Sequence, residues 1–412
     1  MAHLGKRRIC LVTPGHLSTN PRLVKEADAL AAAGYEVSVV SARFIHWADE
    51  ADDEFSSRPW RVRKVTFGPI AGRAKRVAQS LRRRVCLLAY KHFGRCAVLA
   101  FHPVIPALTR AACATSADLY IAHNLAALPA AFRAAKKHGA KLGFDAEDYH
   151  SGEFNVTPEN ALPLRLTREI ERRYLPRCDY LTAASPGISK AYAEAYVVQE
   201  PTVILNVFPK AEAPAGPTPK GTAQPSPSLY WFSQTIGSNR GLETVVEAIS
   251  LSRSRPTFFL RGNPSPGYRE QLTALAEKYG VGDRLGFLPP APPGEMVRLA
   301  AEFDVGIASE PGHSLNNRLA LSNKMFTYIL AGIPTLASDT TAQSEMALKM
   351  AGAAFVCPQR DARGLAAKMD DLLLSPHALA SARQAAWEYG QHRFNWEAEQ
   401  RSLLQVIESI LH

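Results

Sequence analysis

Short apolar runs alternate with helical stripes of apolar residues along the chain, which predicts strands and helices in turn. Residues 9–12 form a strand-like run, and Asn20 followed by Pro21 is typical of a helix start. Gly34 ends that helix, and residues 37–40 begin a second strand. The apolar face of the helix consists of Leu23, Ala27, Leu30 and Ala31. The opening of the chain is therefore predicted to be a βαβ unit.

The same alternation continues over most of the sequence. In the first half we predict strands at 119–122 and 141–144 around a helix at 127–138. In the second half the predicted strands and helices are 229–232, 242–249, 257–260, 304–308, 324–331 and 334–337. Such alternation is typical of parallel sheets covered by helices on both faces.

A segment rich in Pro, Ala and Gly, residues 209–228, divides the two halves and is expected to be a linker or a long loop. The predicted fold class is therefore α/β, with two Rossmann-like doubly wound domains facing each other across a cleft. The predicted domains are residues 1–208 and 229–390. A final segment, 391–412, is expected to be a helix that packs back on the first domain.

Composition and charge restrict the function classes. The chain has 412 residues, of which 46% are hydrophobic and 21% charged, as in ordinary globular proteins, and its net charge is +10. The six cysteines form no C-x-x-C pair, so we predict neither a disulfide framework nor a metal cluster. The absence of a disulfide framework predicts a cytoplasmic location. No stretch is long and apolar enough for a membrane-spanning helix. The positive charge favours anionic partners.

Much of this charge lies between Trp60 and Arg95, where Lys and Arg residues are interleaved with Val77, Leu81 and Val85. A basic amphipathic surface of this kind fits an anionic membrane, and we expect peripheral binding at the inner face of the cell membrane. A solvated basic face is the alternative. No nucleic-acid partner is expected, since no nucleic-acid-binding motif accompanies the charge.

Two helix starts in the second half are candidate anion sites. The loop 233–241 leads into a helix and contains Arg240, and Ser322 and Lys324 lie at the start of the helix 324–331. Two such sites in one domain fit the diphosphate of a nucleotide. In the first half, Gly15 follows the first strand without the G-x-G-x-x-G fingerprint of a nicotinamide enzyme.

Acidic residues and a histidine follow other predicted strands. Asp145, Glu147 and Asp148 come after the strand at 141–144, and we expect them to hydrogen-bond hydroxyl groups across the cleft without binding a metal. Helix capping is the alternative for these acids. His123 and Glu310 also lie at strand carboxyl ends.

Several motifs resemble those of the retaining glycosyltransferases of family four, which have the GT-B fold. The resemblance covers most of the chain. It rests on Ala122-His123-Asn124, Phe144-Asp145-Ala146-Glu147, Phe258-Phe259-Leu260-Arg261-Gly262-Asn263, Leu285-Gly286-Phe287-Leu288, Asn323-Lys324-Met325-Phe326, Ala331-Gly332-Ile333-Pro334 and Arg393-Phe394-Asn395-Trp396.

The resemblance implies roles for individual residues. Arg240 and Lys324 would bind the donor diphosphate, His123 would contact the donor sugar, and Glu310 would be the first acid of the E-x7-E pattern. Thr327 stands where the family has its second glutamate, and no basic residue precedes Arg240 at the usual distance. The catalytic candidates are His123, Arg240, Glu310 and Lys324. The candidate donor-binding residues are Gly15, Gly237, Asn239, Arg261, Gly262, Leu288, Ser322, Asn323 and Thr327.

The implied activity is transfer of a hexose from a nucleotide diphosphate sugar to a glycan or lipid-linked acceptor, with retained anomeric configuration. Neither a metal nor a further cofactor is expected, because the two cations and the helix starts would balance the diphosphate charge. The departures at Thr327 and before Arg240 leave a second hypothesis open: a catalytically degenerate subunit that binds or activates a partner. A sugar-nucleotide epimerase of the same fold is a lesser alternative.

Overall fold

The computed structural model describes residues 6–217 and 227–411, and these form two compact units. The first unit extends to Ile204 and resumes at Gln400, and the second comprises Leu205–Glu399. The division between them thus lies four residues before the predicted end of the first domain. Of the predicted linker, residues 209–217 belong to the second unit, whereas 218–226 lie outside the described residues.

The first unit contains a seven-stranded parallel sheet with the order β3-β2-β1-β4-β5-β6-β7. Its strands are β1 (Arg8–Val12), β2 (Glu36–Arg43), β3 (Arg61–Thr66), β4 (Leu119–His123), β5 (Lys141–Ala146), β6 (Tyr180–Ala183) and β7 (Thr202–Val203). Its helices are α1 (Pro21–Ala32), α2 (His46–Ala51), α3 (Arg73–Phe93), α4 (Ala97–Phe101), α5 (Ile105–Cys113), α6 (Leu128–His138), α7 (Ala161–Tyr174) and α8 (Pro186–Tyr196).

Local sequence signals explain how the first βαβ unit forms. Residues 9–12 of β1 are completely buried, as expected for a central strand of a parallel sheet. The Asn20 side chain caps α1 by accepting a hydrogen bond from the Leu23 backbone N–H at 3.0 Å, and Pro21 occupies the first helical position. The strand order reverses between β1 and β4, so the carboxyl ends of these two strands flank a crevice where doubly wound sheets place their ligands.

The second unit contains a six-stranded parallel sheet with the order β10-β9-β8-β11-β12-β13. Its strands are β8 (Ser228–Ile236), β9 (Thr257–Pro264), β10 (Leu285–Leu288), β11 (Val305–Ala308), β12 (Thr335–Ser338) and β13 (Ala354–Cys357). Its helices are α9 (Leu242–Leu251), α10 (Tyr268–Lys278), α11 (Met296–Ala300), α12 (Leu315–Leu319), α13 (Asn323–Ala331), α14 (Thr341–Lys349), α15 (Ala362–Leu373), α16 (Pro376–His392) and the start of α17 (Trp396–Leu411).

A buried tyrosine fixes the point where the second sheet reverses its strand order. The Tyr328 hydroxyl lies 3.1 Å from the carbonyl oxygen of Tyr230 on β8 and 3.2 Å from that of Ile307 on β11. The Tyr328 ring lies over Gly306, where an added Cβ would be only 2.2 Å from ring carbons. Because the glycine has no side chain, the tyrosine can pack directly on the strand and hold β8 beside β11.

Both sheets have the Rossmann-like arrangement that the sequence predicts, and the α/β fold class is confirmed. The predicted strands and helices coincide with observed elements to within a few residues. Among the described residues, none of the helices combines the length and the apolar character needed to cross a bilayer.

Candidate functional site

His123, the last residue of β4, lies completely buried among three carboxylates in the first unit. Its Nε2 is 3.0 Å from Oε2 of Glu26 on α1. Its Nδ1 is 3.4 Å from Oδ2 of Asp145 and 3.2 Å from Oε1 of Glu147. These four residues, together with Arg22, are called the His123 cluster below.

Arg22 neutralises the Asp145 carboxylate from the other side. Its Nε and Nη2 donate to the two carboxylate oxygens at 2.6 and 2.8 Å, and the Thr182 hydroxyl donates at 2.6 Å. The remaining Arg22 donor, Nη1, bonds to the Ile204 carbonyl at 2.7 Å. Burial alone would raise the pKa of Asp145, but Arg22 and His123 hold it far below its usual range. Asp145 is thus a permanent anion in this cluster.

The same carboxylates determine the charge of the histidine. Burial would lower the pKa of His123, but the attraction of Glu26 and the hydrogen bond to Glu147 reverse this effect and raise it to about 10. His123 is therefore an imidazolium at neutral pH. The cluster combines two cations with three carboxylates, in an interior where such charges are stable only when paired.

The structure brings the predicted residues His123, Asp145 and Glu147 together but buries two of them. His123 and Asp145 have no appreciable exposed surface, whereas the Glu147 side chain is 27% exposed and also accepts a hydrogen bond from Asn20 Nδ2 at 2.8 Å. Asp148 is half-buried, and its backbone oxygen accepts a hydrogen bond from the Tyr192 hydroxyl at 3.1 Å, outside the cluster. Of the three acids predicted to face an acceptor, Glu147 is thus the one whose carboxylate joins the cluster and also reaches the surface.

Two cluster residues, Arg22 and Glu26, were not singled out from the sequence. They lie four residues apart on α1 and are both about 4% exposed, so they share the inward face of the helix. The sequence did contain a signal for them: an oppositely charged pair four residues apart, next to the apolar positions that form the buried face of α1.

The glycine loop after β1 has room for a larger residue. A Cβ added to Gly15 would meet nothing closer than 3.8 Å, so the packing of the loop does not itself require glycine there. The next residue, His16, is completely buried and fixes the loop to the end of β2. Its Nε2 accepts hydrogen bonds from the backbone N–H groups of Phe44 and Ile45 at 2.9 and 3.0 Å, and its Nδ1 lies 3.2 Å from Asp52.

In the second unit, Glu310 and Lys324 form a buried ion pair beyond the carboxyl end of β11. Lys324 Nζ is 3.2 Å from Glu310 Oε1, and each side chain is 10% exposed. The Ser322 hydroxyl donates to the same carboxylate oxygen at 3.1 Å, and Asn317 Nδ2 donates to Oε2 at 3.1 Å. The Lys324 ammonium also lies 5.3 Å from the centre of the Trp231 ring.

Glu310 is paired with Lys324, which leaves Arg240 available to bind an anion. Burial would raise the pKa of Glu310, but Lys324, Asn317 and Arg240 together bring it below its usual value, so the residue is ionised at neutral pH. Arg240 contributes through its charge alone: its guanidinium forms no hydrogen bond or salt bridge with the described residues, and its backbone carbonyl accepts from Ser309 Oγ at 2.6 Å. Lys324 is thus neutralised, whereas Arg240 can pair with an anion.

A cavity of about 470 Å³ opens beside Glu310 and the start of α9. Its wall includes the predicted donor-binding residue Asn239, whose φ of 60° lies in the left-handed region that asparagine tolerates. Gly237, the other predicted residue of this loop, is buried, and a Cβ there would come within 2.9 Å of Ser265 Oγ. The cavity is also lined by Ser238, Gly241, Glu243, Thr244, Ser309, Ser338, Gln359 and Arg360.

Three predicted donor-binding residues are engaged in holding the strands of the second sheet. Arg261 is 9% exposed, and it donates to the Tyr230 hydroxyl at 2.8 Å and to the Pro289 carbonyl at 2.9 Å. Gly262 has a φ of 143°, and a Cβ there would lie 2.1 Å from the Ser233 carbonyl oxygen. Leu288 pairs with Arg261 across β10 and β9.

Thr327 stands one turn into α13 and is completely buried. Its hydroxyl donates to the carbonyl of Asn323 at 3.1 Å, a bond within its own helix. Asn323, at the start of the helix, is exposed. In this conformation Thr327 therefore presents no polar atom to a ligand, in contrast to Ser322 and Lys324.

The two groups of acids and histidines that lie close enough to hold a metal, within the described ranges, are both in the first unit. One is Glu26, His123 and Asp145, where Arg22 already binds both Asp145 oxygens. The other is His16, Asp49 and Asp52. Asp49 is paired with Arg43 and Lys64 at 3.1 and 3.3 Å, and Asp52 accepts from the Ser18 N–H at 2.8 Å. Both groups are thus built as ion-paired clusters.

No family model matches the chain, and no curated protein matches it. Solved structures do match over nearly the full length. HepE from Anabaena in complex with UDP covers 98% of this chain and 100% of its own, with a TM-score of 0.71 and 15% identity. Sucrose-phosphate synthase from Thermosynechococcus elongatus covers 98% and 99%, with a TM-score of 0.72 and 15% identity.

A further match is the lipopolysaccharide outer core galactosyltransferase WaaB in its apo form. It covers 98% of this chain and 99% of its own, with a TM-score of 0.62 and 11% identity. These proteins share the GT-B fold of glycosyltransferases, and the chain has that fold. At this level of identity the likeness establishes the fold, and the activity has to be argued from the site.

Proposed function

We propose that the chain is a retaining glycosyltransferase that moves a hexose from a nucleotide diphosphate sugar to a hydroxyl group of a glycan or lipid-linked acceptor. The single observation that carries the proposal is the group of Arg240, Glu310, Ser322 and Lys324 at the carboxyl ends of the second sheet, where Glu310 also lines a cavity of about 470 Å³. HepE, which has the same fold, has been solved with UDP and with UDP-glucose.

The charges at this site suit a leaving diphosphate. The Arg240 guanidinium is unpaired among the described residues, so it can bind phosphate oxygens directly. Lys324 lies within reach of Glu310 and Ser322, so a bound phosphate would compete with Glu310 for its ammonium. Cations that are held in place before the reaction stabilise negative charge as it develops on the leaving group. The role that we propose for these residues needs no metal ion.

The hexose and the acceptor class are supported by the proteins of the same fold. WaaB is described as a lipopolysaccharide outer core galactosyltransferase, and HepE has been solved with UDP-glucose. In this chain, Glu147 is the predicted acceptor-side acid whose partly exposed carboxylate also contacts His123. We propose it as the acid that hydrogen-bonds acceptor hydroxyl groups, with His123 and Asp145 positioning it.

Binding of nucleoside diphosphates to the purified chain tests the donor site. Calorimetric titrations with UDP, GDP and ADP, each with and without Mg²⁺, should give binding of one nucleotide that does not depend on the metal. Lys324→Met should weaken it by about 10- to 100-fold, the usual range for losing a hydrogen bond to a charged group. Lys349→Met, at a lysine near the end of α14, is the matched control. Absence of any nucleotide binding would reject the donor site.

A catalytically degenerate subunit is the second candidate function. It is favoured by Thr327, which stands at the position where the family that the chain resembles has a ribose-binding glutamate. The Thr327 hydroxyl instead donates to the Asn323 carbonyl of its own helix. Incubation with the matching nucleotide sugar and an acceptor extract, followed by NMR of the product, distinguishes the two. A product with the donor's anomeric configuration supports the transferase. Nucleotide binding without turnover supports the degenerate subunit.

A further inference from the structure

Helix α3 of the first unit exposes a stripe of large apolar side chains to solvent. Val77, Leu81, Val85 and Leu88 are spaced by four, four and three residues, so they lie on one face of the helix. Their exposed fractions are 58%, 62%, 57% and 58%, and Phe93 at the helix end is 77% exposed. Single exposed apolar residues are common on protein surfaces, but a contiguous stripe indicates a binding surface.

The opposite face of α3 is already used for packing within the first unit. Cys86 and Tyr90 are buried against α4 and α7, where they contact Ala97, Ala100 and Leu166. The apolar stripe is therefore not needed to hold the helix in place. A substitution in the stripe can be tested without disturbing the core.

The charge around the stripe is one-sided. Residues 55–117 contain thirteen Lys and Arg residues and no Asp or Glu, whereas the whole chain has a net charge of +10. The other 349 residues thus carry a net charge of −3. Five basic side chains of α3 form no salt bridge or hydrogen bond with the described residues. These are Arg73, Lys75, Arg76, Arg84 and Lys91, and all five are exposed.

The combination of apolar and basic side chains identifies the partner. A second copy of this chain would bring the same positive surface against its own, which is electrostatically unfavourable. Nucleic acid would pair with the basic residues but would leave the apolar stripe in water. An anionic bilayer satisfies both, because phosphate headgroups pair with Lys and Arg while the apolar side chains enter the boundary with the acyl chains.

The position of α3 in the first unit fits an acceptor that is held in a membrane. The helix begins seven residues after β3 ends, on the side of the sheet where the carboxyl ends of the strands lie. Phe67, which follows β3, packs on Phe44, and Phe44 packs on His16 in the loop after β1. The helix thus begins at the same edge of the sheet, formed by the carboxyl ends of the strands, as His123 and Glu147.

We propose that the stripe of Val77, Leu81, Val85 and Leu88, with the basic residues beside it, docks the first unit on an anionic lipid bilayer. The proposal goes beyond sugar transfer and does not depend on it, because docking requires no nucleotide. The cytoplasmic leaflet carries anionic lipids, which agrees with the peripheral location expected from the sequence.

The test is cosedimentation of the full chain with vesicles of phosphatidylcholine alone and of phosphatidylcholine mixed with phosphatidylglycerol. We expect binding to the mixed vesicles only, with loss of binding at 1 M salt, where the Debye length is about 3 Å. The triple variant R73Q/R84Q/K91Q should bind about 100-fold more weakly, at about fivefold for each basic residue. The double variant L81Q/L88Q should also bind more weakly while keeping the charge.

Matched controls separate docking from general effects of the substitutions. K349Q and R401Q remove lysine and arginine charges on α14 and α17, and L348Q replaces a leucine that is 81% exposed on α14; all three should bind vesicles like the unaltered chain. Circular dichroism should be unchanged for every variant.

The proposal is overturned if the unaltered chain ignores the mixed vesicles, or binds neutral vesicles equally well. It is also overturned if L81Q/L88Q retains full binding, which would leave nonspecific charge attraction as the explanation. Retention of an RNA or an acidic protein by α3 in place of the vesicles would assign the surface to that partner. Nucleotide titrations of the same variants should be unaltered, so a failed donor site would be recognised separately.

Discussion

Replacing His123 by glutamine should change how the stability of the first unit depends on pH. In the structure the imidazolium lies within 3.0 to 3.4 Å of the carboxylate oxygens of Glu26, Asp145 and Glu147. Glutamine has a similar length and can still donate hydrogen bonds, but it carries no positive charge at any pH. The comparison therefore isolates the proton on His123.

The size of the effect follows from the pKa. Folding raises the pKa of His123 from the ordinary 6.5 to about 10. The stabilisation is thus fully present below pH 6.5 and is lost as the pH rises through 10. Between these values the folded chain holds one more proton than the unfolded chain, so the free energy of unfolding should fall by about 1.4 kcal/mol per pH unit. From pH 7 to 8.5 this amounts to about 2 kcal/mol.

Urea unfolding at several pH values between 7 and 8.5 measures this slope. At the upper limit the unfolded cysteines, whose ordinary pKa is about 8.5, are about half ionised, and this contribution is shared by H123Q and the unaltered chain. The two units can unfold separately, so the unfolding of the first unit should be followed by NMR signals from its own residues. The slope of H123Q should be less negative than that of the unaltered chain by about 1.4 kcal/mol per pH unit. The control H92Q, at an exposed histidine of α3, should keep the unaltered slope.

Equal slopes for H123Q and the unaltered chain would refute the reasoning. A direct measurement remains even where H123Q does not fold. In the unaltered chain labelled with ¹⁵N-histidine, both ring nitrogens of His123 should carry protons at pH 8. A neutral ring at that pH would show that the three carboxylates do not hold the histidine charged.

Two further predictions concern the second unit. E310Q leaves the buried ammonium of Lys324 without its counter-ion and should lower the free energy of unfolding by about 3 kcal/mol at pH 7 in urea titrations. Folding lowers the pKa of Glu310, so the ion pair stabilises the chain above the pKa of the unfolded residue and ceases to do so as the pH falls through the folded pKa. The difference in unfolding free energy between the unaltered chain and E310Q should therefore shrink on acidification. G306A places a Cβ 2.2 Å from the Tyr328 ring, and this overpacking should cost about 2 to 3 kcal/mol of stability and lower the thermal midpoint. The control G294A, whose Cβ would have no heavy atom of the described residues within 4 Å, should keep the midpoint of the unaltered chain.

The fold was predictable because its signals are local. Asn20, Pro21 and Gly34 mark the ends of α1, and the observed helix Pro21–Ala32 lies between them. The buried run at 9–12 and the alternation of strand and helix then leave few topologies, since crossovers between parallel strands are right-handed. The order of the strands beyond the first pair could not be read from local signals, because it depends on which strands pair across distant parts of the chain.

The site was less predictable, because it depends on which side chains turn inward. The sequence placed Glu310 and Lys324 at strand and helix ends, and the structure brings them to 3.2 Å. It gave no means of knowing that Glu310 neutralises Lys324 while Arg240 has no partner in the described part of the chain, since this depends on side-chain positions across β11 and α13. Arg22 and Glu26 were missed for the same reason: a charged pair four residues apart on a helix is usually solvated.

The uneven charge of the chain distinguishes the proposed membrane surface from the proposed donor site. With thirteen basic residues and no acidic ones in 55–117, the net charge of +10 arises from one segment of the first unit, since the rest of the chain carries a net charge of −3. The basic side chains Arg73, Arg84 and Lys91 of α3 are exposed, so their interactions are screened by salt. Lys324 and Glu310 are instead buried, where screening is weak, and their charges balance before a ligand arrives. Raising the salt concentration should therefore release the chain from a membrane well before it weakens contacts made by Lys324.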